Sequence, residues 1–140
     1  MQVNQLTAQL SISAQLSPKE LAQAAENGFT TIICNRPDQE SGNEAPSEIM
    51  QTECEEHGMQ WCYLPVTPQQ ITDQQVVEFG RLLDESAGQV LAYCRTGMRA
   101  AKLWALSQAG NLPLSEILTS ASSAGYDLTD LSDRINNLAK

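Results

Sequence analysis

Gln89-Val90-Leu91-Ala92-Tyr93-Cys94-Arg95-Thr96-Gly97-Met98-Arg99-Ala100-Ala101-Lys102-Leu103-Trp104 is the stretch on which the reading of this chain turns. Gln89 to Tyr93 is a short apolar run without helical period, which predicts a buried β-strand. A turn beginning at Cys94 follows, and an Ala- and Leu-rich helix runs from about Met98 to Ala109, closed by Gly110. Strand, short loop and helix form the repeating unit of an α/β sheet. Ligands of such sheets bind beyond the carboxyl ends of the strands, and Cys94 stands at such an end.

Working outward, the same alternation recurs. Ser17-Pro18-Lys19-Glu20 is a capping box with proline at the first helical position, and Gly28 ends that helix. Phe29 to Cys34 is a β-branched strand, and Asn35 to Ser47, with two prolines and Gly42, is loop. Ser47 opens a short helix that ends at Gly58, and Met59 to Val66 returns as strand. Thr72-Asp73-Gln74-Gln75 is a second capping box; Val76, Phe79, Gly80 and Leu83 behind it share one helical face. Helices are also predicted from Ser115 to about Gly125 and from Thr129, where Leu131, Ile135 and Leu138 are spaced for one face. Gln5 to Ala14 is expected to add an edge strand. The prediction is an α/β fold over residues 1–140, a single domain with a mostly parallel sheet flanked by helices in three layers.

The chemistry is concentrated in Cys94 to Arg99. A helix N-terminus offers unpaired N–H groups and a positive dipole end, a ready site for an anion. Gly97 lets the backbone come close to a bound group, with Thr96 and Met98 on either side. Arg95 and Arg99 add fixed positive charge, and a guanidinium grips two oxygens at once. Thiols in such surroundings ionise below their free value of roughly 8.5, and the thiolate is the nucleophile. Cys94 and Arg99 are therefore the expected catalytic pair, with Arg95, Thr96, Gly97 and Met98 as the anion cradle. Arg36, after the Phe29–Cys34 strand, is a further candidate to face the anion.

Composition limits the alternatives. The 140 residues are 41% hydrophobic, 18% charged and carry a formal net charge of −9. A chain of this length buries about two-thirds of its unfolded surface and folds without staples. Its negative charge argues against nucleic acid or anionic membranes as partners. No apolar run reaches the length of a membrane span. The first residues lack the basic and apolar regions of a signal peptide, so the expected compartment is the cytoplasm. Four cysteines and one histidine, with no C-x-x-C pair, predict no metal site and reduced thiols. No cofactor is implied.

Tyr93 to Arg99 resembles the active-site loop of rhodanese-type sulfurtransferases, which begins at a persulfide-forming cysteine. It also resembles the Cys-x5-Arg loop of cysteine-dependent phosphatases, although here the spacing is Cys-x4-Arg and Tyr93 stands where His is common. Three blocks, Ile33 to Glu40, Tyr63 to Thr67 and Leu91 to Ala105, are more specific. They resemble the small bacterial phosphatase-like domains named for their fusion to beta-lactamase-hydrolase-like proteins. That resemblance implies the fold of dual-specificity phosphatases and a catalytic cysteine at Cys94. It implies a small anionic substrate: a phosphate ester, or a sulfane-sulfur donor if Cys94 carries a persulfide. A module that binds phosphate without turnover is the third reading.

The resemblance also frames three lesser candidates. Phosphatases place a general-acid Asp upstream of the cysteine, yet Cys62 to Gln70 holds no carboxylate, which leaves Asp73 as the nearest candidate acid. Cys34 falls where some dual-specificity phosphatases keep a redox partner for the catalytic thiol. Gln69 and Gln70 lie on the loop expected to overhang Cys94 and are candidates to orient a water.

Overall fold

The computed structural model describes residues 1–140. Five strands form one sheet in the order β1-β2-β5-β3-β4: β1 Asn4–Gln5, β2 Leu10–Ser13, β3 Phe29–Cys34, β4 Gln60–Tyr63 and β5 Gln89–Tyr93. β1 runs antiparallel to β2, and every other pairing is parallel. The helices are α1 Pro18–Glu26, α2 Ser47–Glu56, α3 Asp73–Glu85, α4 Met98–Ser107, α5 Leu114–Ser123 and α6 Ser132–Leu138, the last preceded by a 3-10 turn at Thr129–Leu131.

Alternation along the strands builds the three layers. Ile33, Val90 and Ala92 face the core shared with Phe79, Leu103 and Trp104 of α3 and α4. Ile32, Cys34, Leu91 and Tyr93 face the opposite side, against Leu21 and Ala24 of α1 and Met50 and Cys54 of α2. Strands buried on both faces read as continuous apolar runs, which is why β3 and β5 were visible without periodicity. No helix is long and apolar enough to cross a membrane.

The expected edge strand at Gln5 to Ala14 needs correction. β2 lies inside the sheet, with Ser11 opposite Leu91 and Ser13 opposite Tyr93 of β5, and the edge belongs to the two-residue β1. Ser11 and Ser13 are buried on one face of β2, so the strand lacks the apolar run that marks an interior strand in sequence. β4 is also shorter than expected, although its extension stays tied to β3. Leu64 N donates to Cys34 O at 2.9 Å and Val66 N to Asn35 O at 3.0 Å.

This topology places the carboxyl ends of β3, β4 and β5 side by side. The loops that leave them, 35–46, 64–72 and 94–97, meet above the sheet. Both predicted capping boxes form, Ser17 with Glu20 and Thr72 with Gln75.

Candidate active site

The turn after β5 is built around Gly97. It is the N-cap of α4 and adopts φ +93°, a left-handed conformation that residues with a Cβ rarely take. Space demands glycine as strongly. A Cβ there would lie 2.6 Å from the Tyr126 hydroxyl, 3.1 Å from Ile12 Cγ2 and 3.3 Å from the Ser13 carbonyl. In this conformation the Gly97 N–H donates to Cys94 Sγ at 3.1 Å. Cys94 is fully buried at the floor of the turn. Gln15 N donates to Arg95 O at 3.2 Å and pins the turn from the β2 side, and Thr96 Oγ1 accepts from Met98 N at 3.3 Å. The amides of Arg95 and Thr96 have no partner within the chain, and their side chains are exposed.

Arg99 lies in the first turn of α4, only 7% exposed. Its Nη1 donates to Glu40 Oε2 at 2.8 Å and to Val66 O at 2.8 Å, and its Nη2 donates to Glu40 Oε1 at 2.7 Å. Burial opposes its charge, but Glu40 and Cys94 more than offset this and raise its pKa above the ordinary guanidinium value. In turn, the Arg99 hydrogen bonds hold the Glu40 carboxyl below the usual carboxylate range, with Arg36 adding to the effect. A pocket of about 450 Å³ opens here, with Arg95, Arg99, Gln39, Glu40, Thr67 and Gln69 among its lining residues.

The predicted residues separate into two groups. Arg95, Arg99 and Gln69 line this pocket, while Cys94, Thr96, Gly97, Met98 and Gln70 do not. Arg36 does not face it either. This arginine is 3% exposed, and it donates from Nε to Glu40 Oε1 at 3.1 Å, from Nη1 to Gln15 Oε1 at 3.1 Å and from Nη2 to Ser41 O at 2.7 Å. It braces the 35–46 loop instead of offering a free charge. Asp73 lies at the start of α3 beside a different groove, shared with Gly80, Arg81 and Ser107. Its side chain is 72% exposed, and it accepts from Arg134 Nη2 at 2.9 Å.

Cys34 sits opposite Tyr93 in the β3–β5 register, and its Sγ lies 3.5 Å from Arg36 O. All four cysteines are free thiols. Burial pushes the thiols of Cys34 and Cys62 up, and that of Cys54 up to about 12. No three His, Cys, Asp or Glu side chains converge in a metal-binding arrangement.

Glu40 is the site residue that sequence reasoning passed over. Its one sequence signal is its spacing four residues after Arg36, inside the Ile33 to Glu40 block. Its partnership with Arg99 spans 59 positions and needs the fold.

A strand-end cysteine in a glycine-built turn at a helix start, on a mostly parallel sheet covered by helices, is the architecture of cysteine-dependent phosphatases. The chain belongs to the family described as "Beta-lactamase hydrolase-like protein, phosphatase-like domain", which it matches over residues 2–111. A beta-lactamase hydrolase-like protein of Xylella fastidiosa is 30% identical over 130 residues. That alignment covers 91% of this chain and 30% of the relative, so the chain spans less than a third of the relative's length. The crystal structure of a candidate phosphatase from Neisseria meningitidis is 35% identical, with a TM-score of 0.87 and 99% of each chain covered. The kinase-associated phosphatase, crystallised with its catalytic-site cysteine replaced by serine, matches at a TM-score of 0.71 and 13% identity. That match covers 92% of this chain and 83% of the other, and it speaks for the fold alone.

Proposed function

We propose that this chain hydrolyses phosphate esters through a covalent thiophosphate on Cys94. One observation carries the reading: a sulfur held by the Gly97 amide and a guanidinium that interacts with it belong to one turn and helix start, and Arg95 and Arg99 of that segment line the pocket beside it. Membership of a phosphatase-like family and the 35% identity with the candidate phosphatase of Neisseria meningitidis support it. The Cys94 thiolate attacks phosphorus. The S–P bond forms as the ester P–O bond breaks, and the leaving oxygen departs with the electron pair. A water oxygen then attacks phosphorus, the S–P bond breaks to restore the thiolate, and a proton leaves with inorganic phosphate. The unpartnered amides of Arg95 and Thr96, with Arg99, stabilise the equatorial oxygens in both steps. Gln69 is the candidate to orient the water.

Proton supply to the leaving group is the weak point of this site. Glu40 is the one carboxylate lining the pocket, and its pairing with Arg99 keeps it ionised, so it is a poor acid. Esters whose leaving oxygen needs a proton should react slowly, by about a hundredfold or more. Aryl phosphates with acidic phenols need no such help. The test is turnover of p-nitrophenyl phosphate against an alkyl phosphate: strong preference for the aryl ester, abolished in Cys94→Ser, is expected. Turnover that survives Cys94→Ser would overturn the reading. Binding of phosphate without turnover would make the chain a recognition module. The relatives named above lend no support to sulfur transfer, which thiosulfate loading of Cys94 would reveal.

A further inference from the structure

We propose that the substrate is a small phosphate ester bearing a second anionic group, phosphate or carboxylate, and that Arg95 is the residue that recognises this group. The proposal rests on the phosphatase reading, which places the ester phosphate at Cys94. The chain has five arginines, and four of them hold a carboxylate. Arg36 and Arg99 share Glu40, Arg81 lies between Glu78 and Glu85, and Arg134 meets Asp73. Arg95 pairs with none, although the chain carries 17 acidic residues. Its side chain is exposed and lines the pocket of about 450 Å³.

A surface arginine without a partner is ordinary, and the place of this one gives it meaning. Arg95 follows Cys94 directly, so its guanidinium lies within one side chain's length of a phosphoryl group on the thiol. The other charges around the pocket are already engaged. Both oxygens of Glu40 accept from Arg99, and Oε1 also accepts from Arg36. Two guanidiniums against one carboxylate leave a single positive charge there, which serves the ester phosphate. Arg95 adds a further positive charge with nothing in the chain to balance it. Gln39 and Gln69 line the same space and bring amide donors, and its one carboxylate is Glu40. A free guanidinium beside amide donors suits an anion rich in acceptors, which the guanidinium can grip through two oxygens. The volume falls in the range of roughly 300–1,000 Å³ typical of small-molecule sites.

Calorimetric titration of the full chain with three phosphonates tests this, because their P–C bonds resist hydrolysis and binding is read without turnover. Methylphosphonate carries one anionic group; methylenediphosphonate adds a second phosphonate, and phosphonoacetate adds a carboxylate. At least one of the latter two should bind about tenfold tighter than methylphosphonate, the effect of a charge-assisted grip. In Arg95→Gln that preference should shrink to less than about twofold. Lys102→Gln removes the same charge from α4 outside the pocket and should leave the preference within about twofold of native. Equal losses in the two variants would reduce the effect to net charge and overturn the proposal. It is also overturned by no preference in the native protein, by an undiminished preference in Arg95→Gln, or by no binding of any of the three. Absent turnover of p-nitrophenyl phosphate beside an Arg95-dependent preference would sink the phosphatase reading and uphold recognition of the second anion.

Discussion

The loops that leave β5 and β3 end side by side above the sheet, yet they solve different problems. The β5 loop is short, and its residues act on their neighbours: Gly97 N–H reaches back to Cys94, and Thr96 receives Met98. The β3 loop is long and acts at a distance. Its Asp38 accepts from Ser47 N and Ser47 Oγ at 2.8 and 2.7 Å and so starts α2, which has no capping side chain of its own. Its Arg36 braces Ser41 and Gln15, and its Glu40 crosses to Arg99. The first loop holds the candidate nucleophile, and the second is tied to the helix that follows it through Arg99. Chemistry confined to adjacent residues can be read from a string of letters, whereas chemistry made by two loops meeting needs the fold.

The largest effect should come from the bracing loop. Arg36→Ala leaves a partly buried Glu40 short of one cation and should cost roughly 3 kcal/mol of stability in urea denaturation. A loss below about 1 kcal/mol would mean that the β3 loop holds its shape without this arginine. Next, Arg99→Lys keeps charge but loses the fork, and turnover should fall by about a hundredfold. Arg95→Lys, at an exposed side chain, should change turnover by less than about threefold. Equal losses would mean that the clamp is shared between the two.

Gly97→Ala comes third. Left-handed backbone strain and the close approach to Tyr126 should lower stability by about 1–3 kcal/mol, read as a fall in thermal midpoint. The same change in Tyr126→Phe, which removes the 2.6 Å neighbour, should be milder; an equal loss would assign the whole effect to backbone conformation. Asp73→Asn should cost only about half a kcal/mol through its exposed contact with Arg134 and leave turnover intact. A hundredfold fall in turnover there would restore Asp73 as the acid.

The smallest perturbation is chemical labelling at neutral pH. Raised pKa values keep Cys34, Cys54 and Cys62 protonated, so Cys94 should react first with iodoacetamide. Under mild peroxide, a reducible Cys34–Cys94 peptide would give Cys34 the redox role proposed for it. Over-oxidised Cys94 beside an untouched Cys34 would remove that role.

Much of the fold was legible. The strands β3 and β5 declared themselves as apolar β-branched runs, and two capping boxes marked the starts of α1 and α3. The interior position of β2 was hidden because Ser11 and Ser13 fill one of its buried faces, so hydropathy sees half a strand. Within the candidate site, the Cys94–Arg99 turn was legible because the thiol, the glycine and both arginines are contiguous. Arg36 was visible, but its direction was not. A lone arginine after a strand reads alike whether it faces a ligand or a buried carboxylate. Glu40 stayed unseen for the converse reason: nothing in its neighbourhood points 59 residues ahead to Arg99.

The central claim is that Cys94 takes the phosphoryl group. Rapid acid quench after mixing with p-nitrophenyl phosphate, followed by intact-mass and peptide mapping, tests it directly. One phosphoryl group on the Cys94 peptide, absent in Cys94→Ser, is the expected result. Turnover with no phosphoryl group on Cys94 at any quench time, or the group on another residue, would contradict the account.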